Sequence, residues 1–329
     1  MKMLLCSDVK LGAVCEENLG VKLSHKWGAE RTAKFADLID RAAQNNAGYV
    51  VLAGRLFGSE RIPESAIDAL FKAVKEDEHI QVLAFLDRAE YKRVLYRNDI
   101  PENLHILSTD STQNDEGNDN YLDACLAARS VDGLIEMQFS DNDPVRISKG
   151  SDGAFELTIA DEKETVPIFE PVGFEDAAER RAGYIVLEWS DETIEDCSVI
   201  TNRKYNFESA DIKIMPTDTH REIVSKINKE AAGRKYDTFL RVTIHGRSPF
   251  GVTLNSDAVE EKLRERLFFA EIYDNTVMDI DEASFETDIS LRSEFVRLAL
   301  QDDSLSQTER NRLISCGWNA LGGKEVSAE

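Results

Sequence analysis

The sequence predicts an α/β fold. Short apolar runs alternate with amphipathic helical stretches from residue 1 to about residue 108, and the alternation returns from about residue 206. Strands alternating with helices argue for a parallel sheet covered on both faces. Between those regions, residues 131–200 break into short strands separated by Asp, Gly and Asn, the pattern of an antiparallel sheet. The two sheets can then form one sandwich with helices outside.

Each element has a local reason. MKMLLCS is short, apolar and followed by a polar loop, so it reads as a buried strand. Residues 29–46 place Ala33, Phe35, Ala36, Leu38, Ile39 and Ala42 at helical spacing and stop at Asn45-Asn46-Ala47-Gly48. GYVVLAG is a second buried strand, and PESAIDALFKAVKED a helix with Pro63 in its first turn. HIQVLAFLD, the short helix EYKRVLYRND and the strand NLHILS complete the first rhythm. TDSTQNDEGNDN (109–120) is a polar loop, followed by the strands GLIEMQFS, FELTIA, YIVLEWS and CSVITNRKY of a second sheet.

A new α/β module begins near Asn206. ADIKIMP, YDTFLRVTIHG and FAEIYDNTV are its strands. TDTHREIVSKINKEAAG is a helix capped by Thr217 or Asp218, and SDAVEEKLRERL one capped by Ser256. Two further helices end the chain, SFETDISLRSEFVRLALQD and SLSQTERNRLISCGWNALGG. Ser304 or Ser306 caps the second, and Gly322-Gly323 stop it.

Composition narrows the function classes. The net charge of −23 repels nucleic acid and anionic membranes on average. The imbalance is local, because residues 101–200 hold 24 acids against 6 bases while residues 201–270 hold 13 bases against 10 acids. Any DNA contact is therefore to be sought outside the middle third. No apolar run reaches the ~20 residues that span a bilayer, and the start has no signal-peptide pattern. Cytoplasmic residence is the expectation. Five scattered cysteines without a CxxC read as reduced thiols.

The order of segments carries a resemblance. SDVKLG near the start, Arg31 with Phe35, VVLAGRLFG, QVLAFLDRAE, the later YDTFLRVTIHG and the final CGWNALGGKEV together resemble the SbcD-type DNA-repair exonucleases. These are calcineurin-like metallophosphoesterases that partner an SbcC-type ATPase. The resemblance implies a sandwich of two mixed sheets flanked by helices at 1–204, a small α/β capping domain at 205–276 and a helical tail at 277–329. It also implies two Mn ions, since a two-metal phosphodiesterase clamps the attacking and leaving oxygens between cations roughly 3.5–4 Å apart.

The ligand motifs that the resemblance calls for are mostly replaced. Asp8 keeps the first carboxylate, but Lys10 stands where a histidine belongs. Arg55 takes the place of the bridging aspartate, and Asp87-Arg88-Ala89-Glu90 the place of Gly-Asn-His-Asp. None of the five histidines, His25, His79, His105, His220 and His245, falls at a matching loop. No catalytic residue, metal ligand or cofactor is assigned, and the expected protein is a degenerate relative without nuclease activity.

Three readings of the altered pocket follow. Asp8 and Arg55 form a structural ion pair with Lys10 solvated; or Lys10, Arg55 and Arg88 converge on an anion such as a DNA phosphate; or Asp8, Asp87 and Glu90 rebuild a metal site for an active phosphodiesterase. Elsewhere, Ser7 reads as a loop cap and GRSPFG as a turn. Arg234, Lys235, Arg241 and Arg247 are candidate DNA-backbone contacts, with a plain solvated face as the alternative. Leu291, Phe295, Leu298 and Ala299 share one helical face, and Leu313, Ile314, Trp318 and Leu321 another. These faces pack on each other or dock a partner, with Leu291, Phe295, Leu298 and Trp318 as the docking candidates. An SbcC-like ATPase, DNA and a second copy of the chain are the candidate partners; a membrane is not. A free-standing scaffold is the remaining alternative.

Overall fold

The computed structural model describes residues 1–58, 62–108, 120–123, 126–131, 134–139, 145–149, 155–159, 162–190, 194–250, 252, 254–280, 285, 288–302 and 304–322. The chain divides into two compact units, Met1–Lys204 and Tyr205–Glu329. Both are α/β, with parallel or mixed sheets flanked by helices.

In the first unit β1 (Lys2–Ser7), β2 (Tyr49–Ala53), β3 (Gln81–Leu86) and β4 (Leu104–Ser108) pair in parallel in that order. The helices α1 (Gly20–Gln44), α2 (Glu64–Lys75) and α3 (Arg88–Leu95) connect them. Alternate strand residues point to opposite faces, and the core divides accordingly. Leu4, Cys6, Val50, Leu52, Val82 and Ala84 pack against Phe35 and Leu38 of α1 and Ile67 and Leu70 of α2. Met3, Leu5, Val51, Leu83 and Phe85 face the other way, against Ile147 and Leu157.

Those two side chains belong to a second, antiparallel sheet. Its strands are β5 (Asn120–Asp123), β6 (Leu126–Val131), β7 (Leu134–Phe139), β8 (Val145–Lys149), β9 (Phe155–Ile159) and β10 (Glu162–Thr165), neighbours in sequence order. One face of the parallel sheet is thus covered by helices and the other by this sheet, as a sandwich with helices outside requires. The short helix α4 (Phe174–Glu179) precedes β11 (Gly183–Trp189) and β12 (Ile194–Thr201).

β11 and β12 correct the expected sheet membership. They extend the first sheet rather than the second, β11 lying antiparallel to β1 with Lys2 opposite Glu188 and Leu4 opposite Val186. The reason is hydrophobic: Ile185, Leu187 and Trp189 join the inter-sheet core with Met3 and Leu5. α1 also begins nine residues earlier than expected, at Gly20. Its start carries no side-chain cap at Leu19, so no N-cap signal marks it. Its stop is as local as the sequence suggests, with Asn46 at φ +54°.

In the second unit β13 (Asn206–Ile214), β14 (Thr238–Ser248) and β15 (Phe269–Met278) are all parallel. Ile212, Ile214, Leu240, Val242 and Ile244 pack against Ile223 and Ile227 of α5 (His220–Glu230) and Val259 and Leu263 of α6 (Ser256–Arg264). The caps are shifted by one residue from expectation. Thr219 forms a reciprocal capping box with Glu222, while Asp218 accepts from the Met215 N–H. Asn255, not Ser256, caps α6. GRS of GRSPFG continues β14 rather than forming the expected turn.

The last two helices, α7 (Leu291–Leu300) and α8 (Gln307–Leu321), bury Val296, Ala299 and Ile314 with Phe285. Ser290 caps α7, and Ser306 exchanges hydrogen bonds with Glu309 at the start of α8. Among the described residues no helix is long and apolar enough to cross a membrane.

Candidate functional site at the carboxyl ends of the parallel strands

In open α/β sheets, side chains gather for chemistry in the crevice beyond the carboxyl ends of the strands. Here that edge is built by the loops after β1, β2 and β3. The segment Asp8–Leu11 runs beside Ala53–Phe57, joined by the Asp8, Lys10 and Leu11 N–H groups to the Ala53, Arg55 and Leu56 carbonyls at 2.9, 3.1 and 2.7 Å. Asp8 and Lys10 both adopt left-handed backbone, at φ +48° and +50°. That conformation is uncommon for non-glycine residues and persists only where the surroundings hold it.

Asp8 is buried, and each of its oxygens is engaged. Oδ1 accepts the Arg55 backbone N–H at 3.0 Å, and Oδ2 accepts from Arg180 Nη1 at 2.5 Å. The expected Asp8–Arg55 ion pair is therefore corrected. Arg55 supplies only its main chain, its side chain is exposed, and the cation on Asp8 is Arg180. Arg180 reaches the site because β11 runs antiparallel to β1, which brings the residues just before β11 to the carboxyl end of β1.

Lys10 is not solvated. Its Nζ donates to Asp176 of α4 at 2.8 Å, with both side chains largely shielded. Arg88 is exposed on the first turn of α3. The expected convergence of Lys10, Arg55 and Arg88 on one anion is replaced by two separate ion pairs, Asp8–Arg180 and Lys10–Asp176. Asp87 is occupied as the cap of α3, accepting the Ala89 and Glu90 N–H groups, both at 2.9 Å.

Glu90 is buried and faces the loop after β2, where its oxygens accept the Phe57 N–H at 2.8 Å and the Leu56 N–H at 3.3 Å. Burial pushes its carboxyl up to about 7, against the opposing pull of those two donors and Arg55. It fastens one loop to another.

These arrangements do not fit a dinuclear metal. Asp8 already holds a guanidinium, Glu90 accepts a backbone N–H at each oxygen, and Asp87 accepts two backbone N–H groups at Oδ1. His105 lies within β4 against the Gln81 side chain at 2.7 Å. Among the described residues no three acidic, histidine or cysteine side chains are grouped to hold a metal ion. A cation entering beside Asp8 would meet the Arg180 guanidinium, and like charges repel.

A buried polar hub supports the same edge. On α1, Arg31 donates to the carbonyls of Val9, Lys10, Glu170 and Pro171. Lys34, one turn on, contacts the Glu170 carboxylate and the Phe169 and Asn202 carbonyls. Burial, reinforced by Arg31, pulls the Lys34 ammonium down to about 7, while the Glu170 contact favours its charged form. The Lys204 N–H also donates to Glu170. Arg180, Asp176, Lys34 and Glu170 have no place in the sequence reading, and Arg31 enters it only through the resemblance. The available signal was on α1, where Arg31 and Lys34 interrupt the apolar stripe of Trp27, Phe35 and Leu38. Cations in such a stripe need buried acceptors.

Ser7 caps nothing; its hydroxyl donates to the Pro167 carbonyl at 3.1 Å. Cys6 and Cys15 are buried free thiols, each pushed up to about 12 by burial, so both are inert as nucleophiles. Cys125 lies outside the described residues.

In the second unit the candidate DNA contacts are mostly paired. Arg234 meets Glu208 at 2.8 Å, Arg241 meets Glu271 at 2.5 Å and Arg247 meets Asp279 at 2.9 Å, while Lys235 is exposed. A nucleic-acid phosphate would have to displace a carboxylate at the shielded Arg234 and Arg241, whereas the exposed Arg247 pair is weak. The docking candidates separate. Leu291 and Leu298 are 72% and 59% exposed, whereas Phe295 and Trp318 are half-buried, Trp318 against Phe250 and Phe285. On α8, Ile314 is buried and Leu313 and Leu321 are exposed. No protein-family model matches the chain, and no curated protein matches it in sequence.

Proposed function

We propose that residues 1–204 form a calcineurin-like metallophosphoesterase sandwich that works without its metals. The whole chain is then a catalytically degenerate SbcD-like subunit of a cytoplasmic DNA double-strand-break repair assembly. It acts by binding an SbcC-like ATPase, not by cutting DNA. The observation that carries this reading is the engagement of Asp8: the one carboxylate kept from the implied ligand set is satisfied by Arg180 and the Arg55 N–H. Supporting it are the parallel three-stranded module after residue 205, in the place of a capping domain, and the exposed Leu291 and Leu298 on the tail helix α7. The shielded pairs of Arg234 and Arg241 make DNA a secondary partner in this reading.

The test begins with protein purified without chelator. Elemental analysis should give far less than one equivalent of manganese, iron or zinc, and end-labelled duplex DNA should survive incubation with excess Mn²⁺. Near-stoichiometric metal together with cleavage that Asp8→Asn abolishes would overturn the reading. Co-expression with an SbcC-like ATPase should give a complex on size exclusion that Leu291→Glu with Leu298→Glu disrupts. Failure to form any complex would leave only a free-standing scaffold.

A further inference from the structure

β12 ends the first sheet, and its outer side carries no strand among the described residues. An exposed sheet edge is a row of unpaired N–H and C=O groups, ready to pair with another chain unless charge, proline or a bulge blunts it. Only half of this edge is blunted. The pairing with β11 slips opposite Glu188 and Trp189, at the Ile194 end, and Glu195 and Asp196 stand exposed there. From Cys197 to Thr201 the run CSVIT has no charge, proline or register slip, and Cys197, Ile200 and Thr201 are exposed. The backbone groups on offer follow from one hydrogen bond. The Asn202 N–H donates to the Ala182 carbonyl at 3.2 Å, towards β11. Antiparallel pairing alternates residue by residue, so Ile200 and Ser198 also bond to β11, whereas the N–H and C=O of Thr201, Val199 and Cys197 point outward.

We propose that β12 pairs with β12 of a second copy of this chain, antiparallel about a two-fold axis at Val199, joining two six-stranded sheets into one. Val199 then exchanges both backbone hydrogen bonds with Val199 of the other copy, and Cys197 does so with Thr201. This register alone lays the whole of Cys197–Thr201 on itself. It also decides where the charges fall. Glu195 and Asp196 come opposite Arg203 and Asn202 of the other copy, so an acidic end that would repel its like meets a basic one instead. Arg203 suits that role: its Nη2 donates to the Ala177 carbonyl, and it has no carboxylate partner among the described residues. The contact uses the same patch on both copies and therefore closes at two. Strand pairing alone buries less than the roughly 1,600 Å² of a standard interface, so the expected dimer dissociates at micromolar concentrations. This inference uses only β12 and its flanks, so it is independent of the SbcD-like reading.

The experiment is sedimentation equilibrium of the full chain over a range from about 1 to 200 µM, which should show a monomer–dimer equilibrium with a Kd of roughly 10–100 µM. Val199→Pro removes the outward N–H at the axis, at a position where an edge strand tolerates proline. Each dimer loses two hydrogen bonds, so the Kd should rise at least about tenfold. Glu195→Arg and Arg203→Glu should each raise it several-fold, and the two together in one chain should restore it. That charge exchange decides the matter if Val199→Pro does not fold. Val199→Cys in a Cys197→Ser background sets two thiols opposite each other, at the ~5.5 Å Cα separation of a hydrogen-bonded pair. It should oxidise to a covalent dimer that Cys197→Ser alone does not form. A monomer throughout the range would overturn the proposal and mean that another part of the chain covers this edge or that it stays bare. A dimer indifferent to the proline and charge variants, and not cross-linked by the new thiol, would place the interface elsewhere and overturn it equally.

Discussion

Arg180 Nη1 stands 2.5 Å from Asp8 Oδ2 across 172 residues of chain. The contact joins the carboxyl end of β1 to the segment entering β11 and holds Asp8 in a left-handed backbone conformation. A guanidinium does here what a bound cation does elsewhere: it neutralises a buried carboxylate and fixes the loop that carries it.

The pair should be energetically coupled. Asp8→Asn and Arg180→Met each leave a shielded partner without its counter-charge. Breaking a fully buried pair costs about 3–5 kcal/mol, and with side-chain exposures of 10% and 19% we expect about 2–3 kcal/mol for each. The double variant should lose less than the sum by at least about 1 kcal/mol in urea unfolding. Strict additivity would show that the two side chains do not interact in solution.

Glu90 should give the protein a pH signature. Its carboxyl is raised from 4.5 to about 7, so between those values the folded chain binds more protons than the unfolded one. Stability from this group is therefore greatest near pH 4.5 and falls as pH rises through 7. Glu90→Gln cannot titrate. The difference in unfolding free energy between wild type and variant should shift towards the variant from pH 4.5 to 8. A difference that stays flat over that range would mean that Glu90 ionises normally.

Lys34 and Glu170 should tolerate joint replacement better than single loss. Their side chains are 7% and 2% exposed. Lys34→Met removes the ammonium from the Glu170 carboxylate, which keeps the Lys204 N–H, and should cost about 3–5 kcal/mol. Adding Glu170→Gln keeps an acceptor for the Lys204 N–H while removing the buried charge, and should recover more than half of that loss. Thermal denaturation of the two variants side by side gives the answer, and no recovery would place the damage in packing around Phe169.

How much of this could be read in the sequence depends on how local the cause is. The short apolar run MKMLLCS before a polar loop, and the stop at Asn45-Asn46-Ala47-Gly48, are short-range signals and lead to correct elements. The sheet to which YIVLEWS belongs is decided by Leu4 lying opposite Val186, a relationship with no local mark. The site divides the same way. Asp8 and Asp87 follow strand ends, Glu90 opens the helix EYKRVLYRND, and the resemblance marks all three, but what each binds depends on Arg180, the start of α3, and Leu56 with Phe57. Lys10 shows the limit best: as a lone loop lysine it reads as solvated, and only the position of α4 brings it Asp176.

In the tail, Gly317 should invert an ordinary rule. Gly→Ala within a helix normally stabilises by about 1 kcal/mol. A Cβ at Gly317 would lie 2.2 Å from Cε1 and Cζ of the Phe295 ring, so the ring or the helix must move. Overpacking of this kind costs about 1–3 kcal/mol and outweighs the backbone gain. Gly317→Ala should therefore lower amide-exchange protection in α7 and α8. Phe295→Leu in the same chain removes the obstructing ring edge and should restore part of that protection. Increased protection in Gly317→Ala alone would mean that α7 and α8 do not pack through Phe295.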